Sequence, residues 1–225
     1  MGTFITFEGI DGSGKSTQLR LLGNFLRAKG CDALITREPG GTTLGLRLRA
    51  ALLDAMEEVD PLTELLVFAA DRAQHVRTLL RPALAENKIV LSDRYADATL
   101  AYQGAGRGFT PDLIQQIVQL ATDGLMPDLT LLFDLSIAES TLRTRKRVAA
   151  KRSDRLDSEN VEFHERVRQA YLEIAKANAD RVRTIDAKGS AQQTHQLVLN
   201  IVVPFLEERG RVGHTQRANS EVPRT

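Results

Sequence analysis

The sequence predicts a single α/β domain built on a five-stranded parallel sheet flanked by helices on both faces. Three observations predict it. Short β-branched or aromatic runs alternate with amphipathic stretches from residue 3 to about 208. The runs are almost continuously apolar, as in strands buried on both faces. Of 225 residues, 42% are hydrophobic and 26% charged, the balance of a folded chain with a substantial core.

The first strand is read at Thr3–Glu8, ending at Gly9. Leu19, Leu22 and Leu26, widened by Leu21 and Phe25, then place an apolar stripe on a helix over 16–28, with Gly30 as its C-terminal cap. A second strand follows at 33–36, then the turn-forming Glu38-Pro-Gly-Gly41 and a helix over 44–55. A long helical pattern runs from 62 to 86, and Pro82 is expected to bend or restart it. Strands are read at 89–92 and 129–133, each followed by an acidic residue, Asp93 or Asp134. Between them lies a helix over 111–122, with Pro111 at its first position and Thr110 as N-cap. Helices over 137–147 and 159–178, a fifth strand over 181–185 and a closing helix over 190–208 complete the domain. Residues 209–225 are polar and lack an apolar period, so a disordered tail is expected.

Thirty Lys and Arg residues oppose 29 Asp and Glu, a net charge of +1, so no global field advertises a nucleic-acid or membrane partner. The single Cys31 has no internal disulfide partner, and no apolar run reaches the roughly 18 residues of a membrane span. A cytoplasmic setting is expected.

Gly9-Ile10-Asp11-Gly12-Ser13-Gly14-Lys15-Ser16 fits G-x-x-x-x-G-K-[ST], and it lies between a predicted strand and a predicted helix. Glycines let backbone N–H groups converge on one concavity, and the following helix adds its positive pole. Lys15 adds a full charge and Ser16 a hydroxyl for Mg²⁺, so a nucleoside triphosphate is the expected ligand. Asp93, at a strand end and followed by Arg94, is the candidate second metal group. Asp134 lacks an adjacent cation and ranks below it.

Further blocks carry a family resemblance. Phe7-Glu-Gly-Ile-Asp-Gly-Ser-Gly-Lys-Ser-Thr17, Thr36-Arg-Glu-Pro-Gly-Gly-Thr42, Asp93-Arg-Tyr95, Ala101-Tyr-Gln-Gly-Ala-Gly-Arg-Gly108 and Pro127-Asp-Leu-Thr130 resemble, in order and spacing, successive blocks of bacterial thymidylate kinases. The resemblance spans about 1–208. It implies a three-layer P-loop kinase fold with a small mobile lid, over about 143–156. It also implies transfer of phosphate from ATP to dTMP with Mg²⁺, and a homodimer formed in part by the helix bearing Phe68.

The resemblance further implies site roles. Gly9, Ile10, Asp11, Gly12, Ser13, Gly14, Lys15, Ser16, Thr17 and Arg145 would bind ATP. Arg37 and Arg94 would grip the acceptor phosphate, with Arg94 also catalytic beside Lys15. Phe68 would stack on thymine while Arg72, one helical turn along, bonds its edge. Thr99, Tyr102 and Gln103 would read the base and exclude a 2′-hydroxyl, and Asp11 would accept the 3′-hydroxyl. Ala98 departs from the serine often found in its block, which removes one polar contact near the base.

Seven cations against one Asp fill the thirteen residues from Arg143 to Arg155. A charge run of this kind is also what a solvated helix face looks like. The resemblance places it in the lid and makes Arg147 the catalytic arginine, with Arg145, Arg152 and Arg155 as competitors. Glu8 and Glu38 receive no catalytic role.

Three rival functions are distinguishable: a same-fold kinase for another nucleotide or a deoxynucleoside, a regulatory GTPase, and a nucleic-acid binder using the basic segment. The chain has no Asn-Lys-x-Asp guanine-reading motif, and its near-neutral charge disfavours the third.

Overall fold

The computed structural model describes residues 2–55, 57–148 and 159–212, with 145–148 described by backbone alone. Five strands form one parallel sheet in the order β2-β3-β1-β4-β5: β1 (Thr3–Glu8), β2 (Ala33–Arg37), β3 (Ile89–Asp93), β4 (Leu129–Asp134) and β5 (Val182–Asp186). All five runs read from sequence are strands. Three extend one residue further, so Arg37, Asp93 and Asp134 end strands rather than follow them. Arg181 stands before β5, where its guanidinium forms a bidentate ion pair with buried Asp97.

The helices are α1 (Lys15–Ala28), α2 (Thr43–Leu53), α3 (Pro61–His75), α4 (Arg81–Ala85), α5 (Ala96–Thr99), α6 (Pro111–Thr122), α7 (Ile137–Val148), α8 (Val161–Ala177) and α9 (Ala191–Glu208). The long helix expected over 62–86 is interrupted earlier than Pro82. A π-helical turn spans Val76–Leu80, and α4 resumes with Pro82 in its first turn. Pro82 has no N–H to donate backwards and its ring crowds the preceding turn, so the widened turn accommodates it.

One segment has no counterpart in the sequence reading: α5 leads into a second π-helical stretch, Leu100–Gly106. Ala96, Asp97, Thr99, Ala101, Tyr102, Gln103 and Gly106 are all buried. A helix buried on most sides presents no apolar-polar period to find.

Strand pleating sends neighbours to opposite faces. Ile5, Phe7, Leu91, Leu131 and Phe133 pack with Leu22 and Leu26 of α1 and Val198, Val202 and Leu206 of α9. Phe4 and Val90 pack on the other face with Leu65, Val76, Leu80, Leu84 and Ile114. A third cluster joins Leu132 to Tyr102 and to Phe163, Val167 and Tyr171 of α8. The carboxyl ends of β1, β2 and β3 therefore open onto one side, where ligands bind in open α/β sheets.

Helix starts follow their caps. Asp60 accepts from the N–H groups of Leu62 and Thr63, Thr42 from Gly45, and Asn160 from Phe163, while Ser190 and Gln193 form a capping box. Thr110 precedes α6 in extended conformation, but its side chain makes no cap bond. Gly30 follows α1 at φ +78°, the left-handed value that lets the chain leave a helix.

Leu91 is fully buried in β3, the strand paired with both β1 and β2. Leu91→Ala is expected to lower unfolding stability by about 2–5 kcal/mol, read from chemical denaturation.

Candidate active site

The glycine loop joins β1 to α1. Gly9 adopts φ +129°, and a Cβ there would lie 2.5 Å from the backbone oxygen of Phe133, so only glycine lets the loop leave β1 beside β4. Gly12 and Gly14 also have positive φ, and no side chain caps α1 at Gly14. The first turn of α1 thus turns its positive pole toward the loop. Ser140 of α7 donates its hydroxyl to the Asp11 carbonyl at 2.6 Å, pinning the loop from above. Ile10 packs in the third core cluster, and Ser13 is buried with Oγ unpartnered among the described residues. Both shape the loop from below. Thr17 is exposed in the first turn of α1, next to the exposed Ser16.

Lys15 does not point outward. Its Nζ donates to the Gly9 and Ile10 carbonyls at 2.8 and 2.9 Å. Burial lowers its pKa, and nearby Arg94 acts in the same direction. The ammonium is stored against the loop's own backbone at the base of the cleft. Ser16 Oγ donates to Asp93 Oδ2 at 2.5 Å, which brings the two metal candidates together at the end of β3.

Arg94 has φ +70°, an uncommon conformation for a residue with a side chain. Three bonds hold it: its N–H donates to the Phe7 carbonyl, Ser92 Oγ donates to its carbonyl, and the Tyr95 N–H donates to Glu8 Oε1. The guanidinium reaches Asp11 at 2.9 Å and Tyr102 Oη at 3.0 Å, and lies over the Tyr102 ring. Burial pulls the Arg94 pKa down, but Asp11 and the adjacent tyrosines outweigh it and hold the guanidinium charged. Asp11, expected at a hydroxyl, is already the partner of Arg94 and also accepts from Tyr102 Oη at 3.2 Å.

Two clefts meet at this pair. One is lined by Phe68, Arg72, Ala98, Thr99, Tyr102 and Gln103. The other is lined by Lys15, Ser16, Thr17, Arg37, Asp93 and Arg143. Asp11, Glu38, Arg49 and Arg94 line both. Phe68 is half-buried at the cleft wall rather than sunk in the core. Arg37 is exposed and opens onto the second cleft only.

Arg72 is buried and held on three sides. It donates to Glu38 Oε2 at 2.7 Å, Thr99 Oγ1 at 2.8 Å and the Tyr95 carbonyl at 2.8 Å. Glu38 also accepts from His75 Nδ1 at 2.8 Å, and His75 Nε2 contacts Thr36 Oγ1 at 2.7 Å. Burial alone would raise the Glu38 pKa; Arg72 and His75 bring it below the usual value. Asp71, burdened by burial and by Glu38, is pushed up to about 6. Gln103 donates Nε2 to Glu64 Oε1 at 2.8 Å, and Glu64 also receives Arg107.

Glu64, His75, Arg49 and Arg107 went unnoticed in the sequence. Each lies on a helix or turn where a lone polar residue reads as a solvated position, and nothing local reveals that it turns inward. Arg143, counted in the basic run, is fixed to the carbonyls of Ala187 and Lys188 at 2.9 Å. Asp134 is the partner of Arg168 on α8 and lines neither cleft. The side chains of Arg145 and Arg147, together with Arg152 and Arg155, lie outside the described residues.

The family model for thymidylate kinase matches residues 7–198. The chain belongs to the thymidylate kinase family. A thymidylate kinase of Pelobacter propionicus is 44% identical over 97% of this chain and 99% of its own. One from Desulfosudis oleivorans is 48% identical over 84% of this chain and 91% of its own. The crystal structure of thymidylate kinase from Ehrlichia chaffeensis superposes with a TM-score of 0.73 at 36% identity, covering 90% of this chain and 98% of that one. The motif blocks read from sequence thus fall on a fold shared with this thymidylate kinase.

Glu8 is fully buried between Tyr95 N and Tyr171 Oη, and burial, reinforced by Asp97, pushes its pKa up to about 8. The folded state therefore keeps a proton that the unfolded chain releases near 4.5. Stability falls as pH rises between those values and levels off above the folded pKa. Glu8→Gln preserves the shape without the titration. Melting temperatures at pH 5.5 and 8.5 are expected to differ less for the variant than for the wild type.

Proposed function

We propose that the chain is a dTMP kinase that transfers the γ-phosphoryl group of ATP directly to the 5′-phosphate of dTMP, giving ADP and dTDP. The observation that carries this reading is the pair of connected clefts. A glycine-loop cleft suited to a triphosphate opens into an aromatic-walled cleft suited to a nucleoside monophosphate, with Arg94 on the wall of both.

A phosphate oxygen of dTMP attacks the γ-phosphorus in line while the bond to the ADP oxygen breaks, so no phosphoenzyme is required. Arg94 neutralises both anions where they meet. Lys15, released from the Gly9 and Ile10 carbonyls, moves its charge onto the transferring group. Arg37 and Arg49 add positive charge at the mouth of the phosphate cleft. Phe68 stacks on the base, Arg72 donates to its carbonyl edge, and Thr99 and Gln103 complete the base site. Tyr102, held by Arg94 and Asp11, closes the space a ribose 2′-hydroxyl would need, and Asp11 remains beside the sugar for the 3′-hydroxyl.

Ser16 and Asp93 present two adjoining hard oxygen donors, the donor type that suits Mg²⁺, and these two residues would hold it. Bound there, Mg²⁺ would supply neutralisation of the phosphate charge. We assign the domain to 1–208 and a lid to about 143–156. On this reading Arg147, with Arg145 beside it, adds charge as the lid excludes water.

Exposed Leu62 and Leu66 on α3 and Leu120 on α6, helices that pack together, support a homodimer through this face. No described helix is long and apolar enough to cross a membrane, and the unpaired Cys31 thiol supports a reducing, cytoplasmic setting.

An acceptor panel with ATP tests the reading: dTMP is expected to be preferred over dCMP, GMP and free thymidine. Preference for any of these would overturn it. In steady-state assays, Lys15→Ala is expected to lower kcat by about three orders of magnitude while dTMP binding persists. Phe68→Ala is expected to raise the KM for dTMP about tenfold and leave the KM for ATP nearly unchanged.

A further inference from the structure

Gln103 lines the acceptor cleft, yet it is only 2% exposed and its amide has one described partner, Glu64. Glu64 is fully buried. Its second oxygen accepts from Arg107 Nη2 at 3.0 Å, and Arg107 Nε reaches the same oxygen that Gln103 uses, at 3.2 Å. Arg107 is itself shared with Glu159 at 2.7 Å.

A carboxylate clamped by a guanidinium accepts hydrogen bonds and donates none. The side of the Gln103 amide that faces Glu64 must therefore be its NH₂. The opposite rotamer would set a carbonyl oxygen against a buried anion. With NH₂ engaged by Glu64, Oε1 is the end of the amide left to a ligand in the cleft that Gln103 lines, and no described residue donates to it. Arg72, which can only donate, lines the same cleft.

The cleft thus offers both an acceptor and a donor. Thymine presents the complement, an N3–H beside the C4 carbonyl. Cytosine presents the reverse, a bare ring nitrogen beside an exocyclic amine. Had the amide been free to turn, a glutamine would have served either base.

We propose that Glu64 is a specificity-setting positioning residue: by fixing the Gln103 amide with Oε1 toward the cleft, it makes the site select a pyrimidine carrying N3–H. Glu64 acts through Gln103 and touches no reacting atom. The inference rests on the reading of this cleft as the base site of the acceptor.

The test compares dTMP with 5-methyl-2′-deoxycytidine monophosphate, which keeps the methyl group and inverts the hydrogen-bonding edge. Glu64→Gln leaves Arg107 its bond to Glu159 but lets either end of the Gln103 amide face the cleft. The ratio of kcat/KM values for the two acceptors is expected to fall at least about tenfold, because a buried polar site discriminates by leaving groups unpaired. The loss is expected mainly in the KM for dTMP, with the KM for ATP and the melting temperature near wild type. Gln103→Leu should lower the same ratio, and the double variant should lose little more.

An unchanged ratio in folded Glu64→Gln, or losses that multiply in the double variant, would overturn the proposal. Should Glu64→Gln not fold, Gln103→Glu carries the test. Its new carboxyl faces Glu64, whose charge Arg107 already shares with Glu159, and it must hold a proton to bond there. Activity with dTMP should then fall with rising pH near neutrality, unlike wild type; matching profiles would overturn the proposal. A wild-type enzyme that prefers the cytosine analogue would defeat the acceptor assignment itself, whereas a thymine-preferring wild type with an indifferent Glu64→Gln defeats only this inference.

Discussion

Bringing two polyanions together calls for a fixed cation where they meet, and Arg94 is the guanidinium that lines both of the adjoining clefts. Its left-handed backbone costs on the order of 1–3 kcal/mol in the absence of compensation. Compensation comes from bonds to Phe7, Ser92 and, through the next residue, Glu8. Phe7 and Glu8 belong to β1, whereas Ser92 and Asp93 belong to β3. The parallel pairing of these two strands is therefore what aims the guanidinium, and the glycine loop and the metal-binding candidates emerge from the same pair of strand ends.

Around this cation the cleft walled by Phe68 and Tyr102 is lined by groups whose charges are already matched. Arg72 is balanced by Glu38, which is shared with His75, and Arg94 is balanced by Asp11. Gln103 is tied to Glu64 and its arginine partner. Such pairing limits the penalty of burying charge and leaves only selected donors and acceptors facing the ligand. Lys15 differs in that its ammonium is held by the loop's own carbonyls.

The sheet was legible because each strand is a short, dense apolar run, and the helices were legible where one face meets the core and the other meets water. The glycine loop was legible because its backbone conformation restricts residue type: Gly9 lies against a backbone oxygen of β4 that no Cβ could clear. The family resemblance singled out Phe68, Arg72 and Arg94, which the fold places on the wall of one cleft, whereas their isolated residue types would have suited a core position or a surface charge. The segment Leu100–Gly106 escaped as a helical element because burial on most sides erases its period.

Sequence alone thus determined the order of the strands and of the helices with one apolar face, the glycine-loop turn and the family, since these depend on local pattern and on backbone conformations open only to particular residues. Tertiary structure alone decided which charges face one another. Glu64 and Gln103 are 39 residues apart, as are Thr36 and His75, and Asp11 is 83 residues from Arg94. A hydrogen bond reads distance in space and carries no trace of its partner along the chain. Which end of the Gln103 amide, which edge of Arg72 and which carboxylate remain available to a ligand is therefore fixed only when the sheet brings those segments together.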